Sequence, residues 1–160
     1  SGGEPTQWEE LYVLAEAIKD KGYLVKLDTN GTNPALLSRM LSSDLLDYVA
    51  MDIKGPWDRY PEITGREGLA GVVQESAKLL LEWAGPRQSE LCYEFRTTVC
   101  REQQTEEDLR RMVAQLPSGV RWFLQSVRDS GKQLAKAERY SPYTKEEMEA
   151  LGKELCVNVR

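Results

Sequence analysis

Apolar positions change their period from one segment to the next, and the changes mark out alternating helices and strands. From Thr6 to Lys21, the residues Trp8, Leu11, Leu14, Ala15 and Ile18 recur at the spacing of one helix face. Thr6 and Glu9 have the T-x-x-E spacing of a capping box, and Gly22 supplies a stop. "YLVKLDTNG" (23–31) then alternates as a strand. "TNPALLSRMLSSDLL" returns to helical spacing, with Pro34 placed as a first-turn proline. "DYVAMDIKG" is the next strand, and "PWDRYPEITGREG" connects it to a helix from Leu69 to Trp83 closed by Gly85-Pro86. "LCYEFRTTVC" reads as a strand, and "TEEDLRRMVAQL" as a helix with Thr105 at its cap and Asp108 three residues on. "RWFLQSVR" is a further strand and "GKQLAKAERYSPY" an irregular polar crossing. "TKEEMEALGKEL" is a last helix with a second box, Thr144 and Glu147, before the closing strand "CVNVR".

Strands that alternate with helices predict an α/β fold, a parallel sheet with crossover helices. Residues 1–160 are expected to form a single domain, since 160 residues bury a sizeable core. The pattern alone leaves an open doubly wound sheet and a barrel as alternatives. In both, binding sites gather at the carboxyl ends of the strands.

Parallel strands covered on both sides read as continuous apolar runs, and these do not. Leu24, Lys26, Asp28 and Asn30 share one face of the first strand, against Val25 and Leu27 on the other. Tyr48, Ala50, Asp52 and Lys54 share a face against Val49, Met51 and Ile53. Cys92, Glu94, Arg96 and Thr98 share a face against Tyr93, Phe95 and Val99. Each strand thus has an apolar outer face and a charged inner one. Buried charges must pair with each other or hold a ligand. One reading is an internal network of Asp28 and Asp52 with Lys26, Lys54 and Arg96. The repetition on three strands favours a cavity for a polar ligand bearing both signs of charge.

Composition narrows the chemistry. The net charge of −5, without a basic stripe, argues against nucleic acid as the partner. No apolar run approaches the roughly 20 residues that span a bilayer. Histidine is absent, which removes the usual general base. The three cysteines, Cys92, Cys100 and Cys156, lack a C-x-x-C spacing, so they predict neither a zinc nor a cluster site, and a reduced cytoplasmic setting is expected. Lys54 is a second chemical candidate: in a cluster-free barrel lyase it would form a Schiff base, with Asp52 carrying the proton. "GGEP", "DTNG" and "DIK" are each weak alone, being compatible with ordinary turns.

Taken in order, "SGGEPT", "KLDTNGTNP", "DYVAMDIKGP", "YEFRTTV" and "FLQSVR" resemble the radical S-adenosylmethionine activases of glycyl-radical enzymes. They are most similar to the activating proteins of anaerobic ribonucleoside-triphosphate reductase, and more distantly to that of pyruvate formate-lyase. The resemblance implies a partial (β/α) barrel of the radical S-adenosylmethionine type and an oxidoreductase function. It implies two cofactors, S-adenosylmethionine and a 4Fe–4S cluster held by a C-x-x-x-C-x-x-C loop after the first strand. In the family the Gly-Gly-Glu-Pro motif follows the second strand. A chain that starts there is expected to be an N-terminally truncated, C-terminal portion, inactive by itself and carrying no cluster ligands. Otherwise it would be a non-enzymatic part that binds S-adenosylmethionine or a partner.

The resemblance also assigns residues. Gly2, Gly3 and Glu4 match the motif that receives the methionine amino group, and Asn30 belongs to the same cofactor-binding set. Asp28 and Asp52 match acidic residues near that amino group and near a monovalent cation, to which Thr29 and Ala50 would add oxygen ligands. Lys54 matches a lysine near the methionine carboxylate. Glu94 and Arg96 would line the cavity, and Gln125 or Arg128 would stand where some relatives carry histidine. The implied partners are a glycyl-radical enzyme, anaerobic ribonucleoside-triphosphate reductase first among them, and an electron donor such as flavodoxin or ferredoxin.

Overall fold

A computed structural model describes residues 3–87, 92–127 and 141–160; Gly2, Arg128 and most of the expected polar crossing lie outside them. Five parallel strands form one sheet: β1 (Lys26–Thr29), β2 (Tyr48–Asp52), β3 (Tyr93–Val99), β4 (Trp122–Ser126) and β5 (Asn158–Val159). Their order in space is their order in sequence. A doubly wound sheet reverses its order at a switch point, and no reversal occurs among the described strands. The topology is therefore that of consecutive barrel units, with β1 at one edge. The α/β class and the parallel sheet expected from the sequence are both observed.

The helices between strands are α2 (Pro34–Ser42), α4 (Leu69–Ala84), α5 (Glu106–Ala114) and α6 (Lys145–Leu155); α1 (Leu11–Lys19) precedes β1, and the short α3 (Tyr60–Thr64) lies ahead of α4. They cover the apolar strand face. Leu27, Val49, Met51, Phe95 and Leu124 meet Leu37 and Met40 of α2, Val73 and Leu80 of α4, Leu109 and Met112 of α5, and Leu151 of α6 in one core. Phe95 and Trp122 meet edge to face, with ring centroids 6.4 Å apart. The expected boxes at Thr105/Asp108 and Thr144/Glu147 both form. Asn33 caps α2 through Leu36 N–H, with Pro34 in the first turn.

The first helix differs from its expectation. Pro5–Gln7 form a separate 3-10 turn, and the α-helix begins only at Leu11. Thr6 is no helix cap: it is buried, and its N–H (3.2 Å) and hydroxyl (2.6 Å) both donate to the Glu4 carboxylate. A carboxylate two residues earlier, with Pro5 opening the turn, captures the N–H and the hydroxyl that a capping box would use as donor and acceptor. Within α1 only Ala15 is buried, and Trp8, Val13 and Leu14 remain largely exposed. β1 is also shorter than its alternation. Tyr23 and Leu24 are exposed, and pairing is set by Asp47, which accepts from Val25 N–H (2.7 Å) and Lys19 Nζ (2.8 Å). The connection 56–68 holds a 3-10 turn (Trp57–Arg59) and α3, elements that its Pro- and Gly-rich sequence conceals.

Candidate functional site

The alternation of the strands projects the charged residues onto the sheet face opposite the helices. Register aligns them in rows: Asp28, Ala50 and Glu94 across β1–β3, then Asp52, Arg96 and Phe123 across β2–β4. Arg96 ties two rows together. Its Nε donates to Asp52 Oδ1 (2.9 Å) and a terminal nitrogen to Asp28 Oδ1 (2.9 Å). To reach Asp28 the guanidinium crosses β2 beside Ala50, the smallest side chain in its row. Burial works against the Arg96 charge, but Asp52, Asp28 and Glu94 outweigh it and strengthen its hold on the proton. Lys26 lies 3.4 Å from Asp28. The sheet therefore brings Asp28, Asp52, Lys26 and Arg96 together, and it leaves Lys54 out of that network.

A second cluster lies towards the amino ends of the strands. Glu94 is 3% exposed; one of its oxygens accepts from the Tyr48 hydroxyl (2.8 Å) and from Arg160, while the other has no hydrogen-bond partner among the described residues. Burial and the Glu94 carboxylate push the Tyr48 phenol up to about 12. Arg160 also stacks over Phe123, 4.0 Å from the ring centroid.

The carboxyl end of β1 is organised around Glu4. One Glu4 oxygen accepts from Thr6 and from the Thr29 hydroxyl (2.6 Å), the other from Asn30 N–H (2.7 Å). Thr29 is buried on the helix side of the strand, so its hydroxyl points away from Asp28 and Asp52. The Asn30 side chain accepts from Thr32 N–H (3.0 Å) and the Thr32 hydroxyl (2.7 Å), closing a tight turn. Gly31 in that turn has φ +72°, and a Cβ there would meet Met51 Cε at 2.4 Å. Gly3 has φ +154° with open space around it.

At the carboxyl end of β2 Lys54 is exposed, and its backbone is held on both sides. Its N–H donates to the Tyr60 hydroxyl (3.2 Å), and its carbonyl accepts from Gln104 Nε2 (2.8 Å). Beside it opens a cavity of about 350 Å³ lined by Asp52, Lys54, Thr98, Cys100 and Gln104 among others. A second cavity of about 330 Å³, on the other side of Thr98, is lined by Gln125, Ser126 and Arg160. Gln125 donates to the Thr98 hydroxyl (2.8 Å). The sequence had no signal for Gln104 or Arg160, whose partners Lys54 and Glu94 lie far away along the chain, nor for Tyr60, which meets Lys54 through the turn after β2. Among the described residues no three His, Cys, Asp or Glu side chains are grouped to hold a metal; Cys92 and Cys100 are buried and Cys156 is exposed. No described helix is long and apolar enough to cross a membrane.

No protein-family profile matches the chain. A protein of Methanocaldococcus jannaschii, provisionally named a glycyl-radical enzyme activating enzyme, is 33% identical over 110 residues, covering 68% of this chain and 45% of that protein. Among solved structures, TYW1 with a lysine-pyruvate adduct bound aligns with a TM-score of 0.56 at 17% identity, covering 96% of this chain and 47% of that one. The chain thus spans about half the length of each of these proteins. The structural likeness is one of fold.

Proposed function

We propose that this chain is the C-terminal part of a radical S-adenosylmethionine activase and builds the methionine end of the S-adenosylmethionine pocket. The observation that carries the proposal is the Asp28–Arg96–Asp52 bridge beside exposed Lys54, at the carboxyl ends of a sequentially ordered parallel sheet. The 33% identity to the archaeal protein supports the family, and the likeness to TYW1 supports the scaffold.

The residues fit S-adenosylmethionine. Its methionine end carries an ammonium and a carboxylate, and the face offers both counter-charges within one patch. Asp28 and Asp52 would hold the ammonium and Lys54 the carboxylate. Arg96 orients the two carboxylates by hydrogen-bonding to both. Both oxygens of the Glu4 carboxylate accept hydrogen bonds, from Thr6, Thr29 and Asn30, so Glu4 and Asn30 shape the turn, and the backbone at Gly3 is what the turn offers to a ligand. A monovalent cation at Asp28 and Asp52 would compete with Arg96 for the same carboxylates, and the Thr29 hydroxyl, committed to Glu4 on the helix side, would not join them. When bound, S-adenosylmethionine supplies hydrogen-abstracting radical chemistry once an electron arrives from elsewhere. The described residues do not fit a 4Fe–4S cluster. The Schiff-base alternative finds no support around Lys54, which is exposed, whereas such a lysine works from a desolvating pocket.

The partner in this reading is a glycyl-radical enzyme, with anaerobic ribonucleoside-triphosphate reductase as the first candidate, flavodoxin or ferredoxin as electron donor and the cytoplasm as the setting. Electron paramagnetic resonance tests it: the full gene product, S-adenosylmethionine, a reductant and the reductase should together yield a glycyl-radical signal that is lost without S-adenosylmethionine. A silent reductase with an active second glycyl-radical enzyme would reassign the partner, and silence with every such enzyme would end the proposal.

A further inference from the structure

Lys54 is an exposed cation that makes no ion pair with any described residue, yet the fold commits two buried side chains to its backbone. Tyr60 and Gln104 are each 1% exposed. The Tyr60 hydroxyl receives Lys54 N–H, and Gln104 Nε2 donates to Lys54 carbonyl oxygen. The next residue, Gly55, is pressed against Ile63, which a Cβ would meet at 2.2 Å. A freely waving surface lysine has no need of such a mounting.

Gln104 joins three segments at this point. Its Oε1 accepts from Cys100 N–H (3.1 Å) after β3, its own N–H donates to Cys100 carbonyl oxygen (3.1 Å), and its carbonyl accepts from the Tyr143 hydroxyl (3.0 Å) ahead of α6. The side-chain amide thus bridges the carboxyl ends of β2 and β3 by a donor on one side and an acceptor on the other. Both capacities are needed at once, which a carboxylate or an apolar side chain of equal size cannot supply. The bridge also lines the 350 Å³ cavity that Asp52 and Lys54 line.

We propose that Gln104 is the positioning residue that aims Lys54 at the carboxylate of the bound ligand, an inference that rests on the S-adenosylmethionine reading. Gln104 touches no ligand; it fixes the backbone from which the lysine reaches. Gln104→Glu keeps the volume and the acceptor for Cys100 N–H but loses the donor to Lys54 carbonyl oxygen. It should therefore release Lys54 without opening a cavity.

Calorimetric titrations with S-adenosylmethionine and with its decarboxylated analogue test this on the wild-type chain, Gln104→Glu, Lys54→Ala and the double variant. Gln104→Glu should weaken S-adenosylmethionine about tenfold and leave the analogue within about twofold. In the Lys54→Ala background it should have no further effect. Equal weakening of both compounds, or additive losses in the double variant, would overturn the role. Amide hydrogen exchange gives a readout that does not need the ligand: Gln104→Glu should speed exchange at Lys54 at least about tenfold while the amides within β2 stay protected. If the wild-type chain binds neither compound, the cofactor reading fails. Unchanged exchange at Lys54 would refute the positioning claim by itself.

Discussion

Replacing Asp52 with asparagine separates an internal salt bridge from a ligand site, because the two roles predict different losses. The Asp52 side chain is 32% exposed and that of Arg96 17%, with 2.9 Å between them. Asparagine keeps an oxygen for Arg96 Nε, and Arg96 keeps its second carboxylate at Asp28. Solvent screening and this surviving geometry limit the loss of stability to about 1 kcal/mol. For a chain of this length, that lowers the melting temperature by about 2–4 °C. A ligand ammonium loses more, since a hydrogen bond between charged groups is worth about 1.5–3 kcal/mol, or roughly a tenfold to hundredfold weaker complex. Thermal melting and calorimetric titration with S-adenosylmethionine, on the same preparations, read both quantities. A melting shift of the expected size with unchanged affinity would reduce the Asp28–Arg96–Asp52 bridge to a structural feature and refute the assignment of Asp52.

Other expectations concern pH, metal content and association. The Arg101 guanidinium, followed by Thr144 N–H, holds the Glu147 carboxyl down at about 2 against its usual 4.5. A carboxyl depressed in the folded state stabilises above its unfolded value and loses that effect as pH falls towards 2. The gap in urea midpoint between wild type and Glu147→Gln should therefore narrow from pH 6 to pH 3, and a constant gap would contradict the pairing. Anaerobic reconstitution of the 160-residue chain with iron and sulfide should give no stoichiometric 4Fe–4S absorption, since the described residues group no ligands for one; a full cluster spectrum would sink that expectation. β1 is a sheet edge flanked by exposed Val13, Leu14, Tyr23 and Leu24, so the chain should self-associate, as light scattering over a range of concentrations would reveal. A strict monomer would mean that this edge is adequately protected by α1.

Features governed by local spacing were legible in the sequence. Period-two alternation located the strands and put Asp28, Asp52 and Arg96 on the face that they occupy. Both helix boxes at Thr105 and Thr144 need only residues three apart, and Pro34 marks the start of α2 by its missing N–H. Thr6 satisfied the same spacing rule but lost its cap to Glu4, whose carboxylate is brought over by Thr29 and Asn30 from elsewhere in the chain. The remaining misses share this character. Gln104 meets Lys54 50 positions away, and Arg160 meets Glu94 66 positions away. Strand order and register decide such pairs, and neither is encoded in the period of a single segment. The choice between doubly wound and barrel-type sheets likewise needed the observed order β1 to β5.

The claim that the charged sheet face holds the methionine end of S-adenosylmethionine is tested most directly by titrating the chain with S-adenosylmethionine and with 5′-methylthioadenosine, which lacks the amino-acid end. Saturable binding of S-adenosylmethionine, at least about tenfold tighter than that of 5′-methylthioadenosine, is the expected result. Equal affinities, or no binding of S-adenosylmethionine at millimolar concentration, would contradict it.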